Sequence, residues 1–318
     1  MPETHQIAIV GARRARQGTG AYLAAAFARL GQDIRGIVGT SDSSVAEAER
    51  ALRQDYHIRT TGYTSLAALL DEQTVDILVI ASPHDTHLEY LRQGVAAGCH
   101  VFCEKPLWFP PLAEMPDSAD GIADAVSRIL AVAAVADLHI GVNLQWPFTL
   151  AHYRQLHPLP DDAAQIQSFD MRLSPASRGR AMVLDSAPHL VSMLHALLGQ
   201  GDIENHELRW QNGEQTRADI AFDYRHRAGA TRVRLELAQS KQQPRPAGYS
   251  INGNAVERRV SMKDYVQSLA GGGGEVTMPD LLTESAKHFL EQAGNRAPGD
   301  EGGIVHGLRL LHRLVSAG

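Results

Sequence analysis

Cysteine is nearly absent: the 318-residue chain has two, Cys99 and Cys103. In an extended segment their Cα atoms stand about 13 Å apart, too far for a disulfide. They read as small buried strand residues, which suits a reducing compartment. A zinc site from Cys99, His100 and Cys103 is not expected, because adjacent strand residues point to opposite faces and no second ligand pair follows. The fifteen histidines are scattered and give no metal signal. A basic excess is lacking too: 30 Lys and Arg stand against 36 Asp and Glu, a net charge of −6. Such a chain has no electrostatic reason to bind nucleic acid or an anionic membrane without a local basic patch. No apolar run approaches the ~20 residues of a membrane span. The first five residues lack the basic-then-apolar profile of a signal peptide, so a cytoplasmic protein is expected.

What is there is ordinary globular material, 44% hydrophobic and 21% charged. It is enough for a large core, and the length suggests two domains. Up to about residue 147, short apolar runs alternate with helical stretches. Gln6 to Gly11, Asp33 to Gly39, Asp76 to Ala81, Cys99 to Cys103 and Leu138 to Val142 read as strands. Gly20 to Leu30, Val45 to Arg53, Ser65 to Leu70, His84 to Ala97 and Ile122 to Val135 read as helices. Strand–helix alternation with β-branched runs argues an α/β domain, residues 1–147, built on a parallel, doubly wound sheet. From 148 to 318 strands cluster: Ile166 to Leu173, Glu207 to Trp210, Ala218 to Tyr224, Thr231 to Leu237, Tyr249 to Ile251 and Ala255 to Val260. Helices are expected only at Pro188 to Leu198, Leu281 to Ala293 and Val305 to Val315. This half reads as an α+β domain with a mostly antiparallel sheet. Gly271 to Gly274 reads as a flexible connection before the helical tail.

The first strand ends at Gly11, and the first helix opens near Gly18, Thr19 and Gly20. A glycine-rich turn from strand to helix brings backbone N–H groups and a positive helix end to a pyrophosphate. The loop is longer than G-x-G-x-x-G and carries Arg13, Arg14 and Arg16. The second strand ends in Gly39, Thr40 and Ser41, where enzymes that use NAD usually place an acid. Hydroxyls there, with Arg13, Arg14 or Arg16, suit a 2′-phosphate and favour NADP; Asp42 reaching back to the ribose would favour NAD. Lys105, at the carboxyl end of a central strand, projects into the crevice where ligands bind and can polarise a carbonyl. In Leu184 to His189, a turn starting near Asp185 puts its carboxylate and His189 on one side, with Pro188 in the first helical turn. A carboxylate near a histidine orients the ring for general acid/base work.

Ser82-Pro83-His84-Asp85-Thr86-His87, then a helix, then Ala97-Gly98-Cys99-His100-Val101 and Glu104-Lys105-Pro106 closely resemble the Gfo/Idh/MocA oxidoreductases. Their first domain carries a T/S-P-x-x-x-H turn followed by A-G-K-H-V-x-x-E-K-P. The resemblance is specific over residues 5 to 107 and looser beyond. It implies a Rossmann domain, with Ser82, Pro83, His87, Glu104 and Lys105 at the cofactor and a cis peptide before Pro106. It also implies D-x-x-x-H at Asp185 and His189, with the histidine exchanging a proton. By the same resemblance the second sheet pairs subunits into a homodimer or homotetramer.

Two departures bear on the substrate. Ser192 stands where relatives commonly have Asp, and Asn143-Leu144-Gln145-Trp146 replaces an arginine-containing run. Asn143, Gln145 and Trp146 are candidates for the substrate pocket, Trp146 as an apolar wall. The expected activity is hydride transfer between NAD(P) and a hydroxyl or carbonyl carbon of a small polar, sugar- or polyol-like substrate. An imine reductase, a redox-assisted glycosidase and a non-catalytic dinucleotide-binding regulator stay open as alternatives.

Overall fold

The structure is a computed structural model that describes residues 4–13, 18–262, 266–295 and 299–317. Arg14 and Arg16, expected at the cofactor loop, lie outside the described residues. The chain forms two compact units. One comprises Met1–Pro111, Ile122–Asn143 and Leu282–Glu301; the other comprises Leu112–Gly121, Leu144–Leu281 and Gly302–Gly318.

The first unit alternates β1 (Gln6–Val10), α1 (Gly20–Arg29), β2 (Asp33–Val38), α2 (Asp42–Tyr56), β3 (Thr61–Tyr63), α3 (Leu66–Glu72) and β4 (Ile77–Ile80). It continues with α4 (His87–Ala96), β5 (His100–Cys103), α5 (Asp120–Val135) and β6 (Ile140–Val142). The six strands are parallel and ordered β3-β2-β1-β4-β5-β6. The sequence dictates this: Ile77 to Ile80 are wholly buried, as a strand covered on both faces must be. Phe27 of α1 meets Phe102 of β5 edge-on at 5.6 Å, and Phe102 meets Phe289 at 5.0 Å. Burying each such ring contributes roughly 1.5–3 kcal/mol. The strand order reverses between β1 and β4, so the crevice at their carboxyl ends is the ligand position of this topology.

The second unit holds α6 (Leu150–Leu156), β7 (Ser168–Leu173), α7 (Arg180–Leu198), β8 (Gly201–Trp210), β9 (Arg217–His226) and β10 (Gly229–Ala238). Then come β11 (Ala247–Ile251), β12 (Asn254–Val260), β13 (Gln267–Gly271) and β14 (Gly274–Met278). Between the last strand and the end, α8 (Leu281–Gly294) packs with the first unit, whereas α9 (Glu301–Ser316) belongs to the second. The eight strands are ordered β14-β13-β12-β11-β7-β10-β9-β8, all antiparallel neighbours except β7 and β10. Inward residues of β9 and β10 alternate with outward ones, so one face is apolar. The other face carries cross-strand ion pairs such as Arg172–Glu257 at 2.6 Å and Arg259–Glu275 at 2.7 Å.

Three expectations change. The glycine run at 271–274 is a hairpin turn: Gly271 pairs with Gly274, and Gly272 and Gly273 have φ of 58° and 80°. Positive φ at both central residues is what a tight hairpin demands, and it costs glycine nothing. The short, small-residue strands beside it hid the signal. Secondly, α7 begins at Arg180 and carries Pro188 in its interior rather than in its first turn. A proline there forgoes one hydrogen bond, offset by burial of Met182, Val183, Leu184 and Ala187 ahead of it. Thirdly, by length and composition alone this 19-residue helix could cross a membrane, with mean hydropathy 1.3; 67% of the stretch is buried in the protein. Its apolarity was hidden by Asp185 and His189 interrupting the run.

Candidate functional site

In the first unit the site is built where β1, β4, β5 and β6 end. Gly11 takes φ +84°, and a Cβ there would lie 2.8 Å from the Ala81 carbonyl carbon and 2.9 Å from the Ser82 nitrogen. A Cβ on Gly20 would strike the Gly11 carbonyl oxygen. Both glycines therefore let backbone approach backbone at the switch between β1 and β4. Among the described residues, Thr19 precedes α1 without a side-chain capping hydrogen bond. The first amides of α1 thus face the glycine turn with the positive end of the helix dipole. A cradle that only glycine fits, beside an uncapped helix end, suits a pyrophosphate. Gly18 and Thr19 are half-buried beside it.

At the end of β2, Thr40, Ser41 and Asp42 are all exposed. Ser41 is already employed: its hydroxyl accepts from the Ser44 amide at 3.3 Å, and the Ser44 hydroxyl returns the bond as a capping box on α2. Arg13 is exposed and its Nε lies 2.8 Å from Glu47 Oε2 of α2.

After β4, Ser82 and exposed Pro83 enter a 3₁₀ turn at His84–Thr86. His87 is not exposed with them; it is 1% accessible. Its Nε2 lies 2.8 Å from the Ser82 carbonyl, and its Nδ1 lies 3.0 Å from that of Pro106 and 3.2 Å from that of Leu107. Both nitrogens face backbone carbonyls, and a neutral ring has one N–H to donate to them. Burial holds its pKa below the usual histidine range, against the pull of those carbonyls and of Glu104. The buried Cys103 thiol stands 3.2 Å from Nδ1, and burial raises its pKa well above the thiol range. It is a proton-bearing neighbour, not a nucleophile.

β5 delivers Glu104 and Lys105, both half-buried, and the Lys105–Pro106 peptide is cis. Glu104 accepts from Asn143 Nδ2 at 2.7 Å and from the Lys105 amide at 3.3 Å. Asn143, a candidate for the substrate pocket, is 1% exposed and spends its amide on Glu104. Its Oδ1 is buried without a hydrogen-bond partner among the described residues.

In the second unit Asp185 and His189 both lie inside α7, one turn apart and half-buried. Residues at that spacing share a helix face. Ser192 donates to the His189 carbonyl at 2.8 Å. Trp146 is buried and meets the His189 ring edge-on at 6.4 Å. Gln145 is half-buried just before it. Two neighbours of Trp146 were missed from sequence: Tyr249, its ring 6.1 Å away, and Arg258, whose guanidinium lies 5.4 Å over the indole. The alternation Val256, Arg258, Val260 along β12 was the available signal, because it sends the arginine to the apolar face.

With this geometry in view, comparison with known proteins bears on the first unit. Residues 5–133 match the family model described as "Oxidoreductase family, NAD-binding Rossmann fold". Over that stretch the chain is similar to the Gfo/Idh/MocA oxidoreductases, and it spans less than a third of the length of the Paracoccus and Haloferax relatives it matches. It is 34% identical over 92 residues to inositol 2-dehydrogenase of Paracoccus denitrificans, covering 28% of this chain and 27% of that protein. It is 33% identical over 113 residues to D-xylose 1-dehydrogenase (NADP(+)) 2 of Haloferax volcanii, covering 35% and 28%. The fold extends further than the sequence likeness. A solved UDP-N-acetylglucosamine 3-dehydrogenase from Acidithiobacillus ferrooxidans superposes over 99% of this chain and 98% of its own, with TM-score 0.68 at 15% identity.

Proposed function

We propose that this protein is an NAD(P)-dependent dehydrogenase or reductase acting on a hydroxyl or carbonyl carbon of a small sugar- or polyol-like substrate. The observation that carries the reading is Glu104–Lys105, fixed at the carboxyl end of β5 and anchored by Asn143, at the ligand end of a sheet whose glycine cradle fits a pyrophosphate. The substrates named for the Paracoccus and Haloferax relatives support the polyol and sugar class.

When bound, the nicotinamide supplies or accepts hydride. The Lys105 ammonium polarises the substrate oxygen and steadies the charge that develops on it. His189 gives or takes the hydroxyl proton, and Asp185, one helical turn earlier, orients its ring. Trp146 presents an apolar wall at the His189 edge. Gly11, Gly18, Thr19 and Gly20 hold the pyrophosphate, with Ser82 and Pro83 beside them. Arg13, with Thr40 and Ser41, favours NADP.

The test is a fluorescence titration with NADPH and NADH, followed by turnover on a panel of polyols, aldoses and their keto forms. Lys105→Met and His189→Ala should each lower kcat by at least about 100-fold while cofactor binding stays within about threefold. Failure to bind either nucleotide, or full turnover in Lys105→Met, would overturn the reading.

A further inference from the structure

We propose that Arg258 sets the substrate class: its guanidinium takes the carboxylate of a polyhydroxy acid whose reacting carbon lies at His189. The inference rests on the reading of His189 and Trp146 as the substrate wall, and it narrows the sugar- or polyol-like class to acids. Alternation along β12 puts the arginine there. Glu257 and Arg259 point to the charged face of the sheet, where they pair with Arg172 at 2.6 Å and Glu275 at 2.7 Å. Buried Val256 and half-buried Arg258 therefore point to the other face. Opposite Arg258 in the ladder stand Ala247 of β11 and Leu269 of β13, both buried. Residues directly opposite share a face, so the arginine is set among apolar neighbours. Placing a permanent charge there costs desolvation, and it attracts an anion more strongly than the same charge in water does.

The guanidinium lies 5.4 Å over the Trp146 ring, and the same indole meets the His189 ring at 6.4 Å. A molecule the size of one monosaccharide can reach both groups along that indole. The indole itself is anchored. The Thr149 hydroxyl donates to the Trp146 carbonyl at 2.7 Å and stands 3.0 Å from the hydroxyl of Tyr249, whose ring meets Trp146 edge-on at 6.1 Å. An aromatic face steadies an arginine's plane and leaves in-plane N–H groups for a carboxylate.

The charge on this wall matches one carboxylate. A single guanidinium presents one charge and a two-pronged edge, whereas a phosphate dianion calls for a second cation. Among the described ring neighbours of Trp146, His189 and Tyr249 carry no permanent charge. The run Asn143 to Trp146 carries none either.

The experiment compares probes that differ in charge: D-galacturonate with D-galactose, and D-gluconate with D-glucitol. With NADP+ as hydride acceptor, kcat/KM should be at least about tenfold higher for the acid of each pair, the difference lying in KM. Arg258→Met keeps an apolar chain over the indole and removes the charge. It should raise KM for the acid about 10- to 100-fold and bring the acid-to-neutral ratio within about threefold of one. Arg258→Lys should restore part of the ratio, since it returns the charge without the fork. An arginine that only packs on Trp146 would move both members of a pair together, so an unchanged ratio in Arg258→Met overturns the inference. So does a preference for D-galactose 6-phosphate over D-galacturonate. Should Arg258→Met fail to fold, Arg258→Gln is read in the same way. Calorimetric titration with D-galacturonate, with and without NADP+, separates this inference from the dehydrogenase reading. Arg258-dependent binding without turnover of any probe supports the carboxylate site and counts against the dehydrogenase. Turnover of the neutral probes without Arg258-dependent binding of the acids keeps the dehydrogenase and overturns the site.

Discussion

Asn143 donates its side-chain amide to Glu104 across the ends of neighbouring strands β6 and β5, at 2.7 Å. Both residues also sit on the ladder, the Asn143 amide donating to the Cys103 carbonyl at 2.8 Å. A hydrogen bond to a carboxylate contributes about 1.5–3 kcal/mol, toward the low end where the acceptor keeps some water. Asn143→Ala should therefore lower stability by about 1–2 kcal/mol in urea denaturation and reduce kcat more than it raises KM. Asn143→Asp sets two carboxylates face to face and should be worse than alanine above pH 6. Equal turnover in all three proteins would show that Glu104 needs no anchor.

Gly11 makes the proposed cofactor cradle testable without turnover. Alanine there must adopt φ +84° and bring its Cβ within 2.9 Å of the Ala81–Ser82 peptide. The backbone conformation alone costs on the order of 1–2 kcal/mol, and the contact adds to it. Gly11→Ala should lower the melting temperature by several degrees and weaken NADPH binding at least tenfold. Tight binding by the alanine variant would move the pyrophosphate away from this turn.

The close backbone approach at Gly11 was signalled in sequence by a glycine at a strand end, and the cis Lys105–Pro106 peptide by the resemblance of Glu104-Lys105-Pro106 to a known motif. The parallel sheet showed itself through runs such as Ile77 to Ile80, which have no polar face. What sequence hid was long-range. Nothing in the local pattern of His87 says that its ring turns inward onto carbonyls nineteen and twenty residues away. Nor does the amphipathic pattern of α8 say which sheet it covers; that depends on Phe289 finding Phe27 and Phe102. The start of α7 was obscured for a different reason, since Pro188 is a strong local signal overridden by burial on both sides of it.

Arg13 and Glu47 bear on the choice between the two nucleotides. Their ion pair at 2.8 Å joins two half-exposed side chains, and such pairs contribute about 0–1 kcal/mol. A 2′-phosphate with nearly two negative charges can therefore draw Arg13 from Glu47 at little cost. NADPH should bind more tightly than NADH, Arg13→Ala should erase most of that preference, and Glu47→Gln should increase it. Raising salt should shrink the difference, because the groups are exposed. If NADH binds more tightly and Asp42→Asn removes that advantage, the ribose belongs to Asp42.

At the opposite end of the first sheet, His139 is a built-in acid sensitivity. Burial, and then the nearby His100 and His288, lower its pKa to about 4. Its ring packs against Phe289 at 5.4 Å, and its buried Nδ1 has no hydrogen-bond partner among the described residues. In the unfolded chain the same group titrates near 6.5. Between those two values the unfolded state binds the proton and the folded state does not, so stability falls as pH falls. Above about 6.5 the contribution is complete, and below about 4 both states are protonated and the loss stops growing. His139→Gln removes the group, so its urea midpoint should decline less than the wild type's between pH 6.5 and 4. Parallel curves for the two proteins across that window would mean that the imidazole is not kept neutral in the fold.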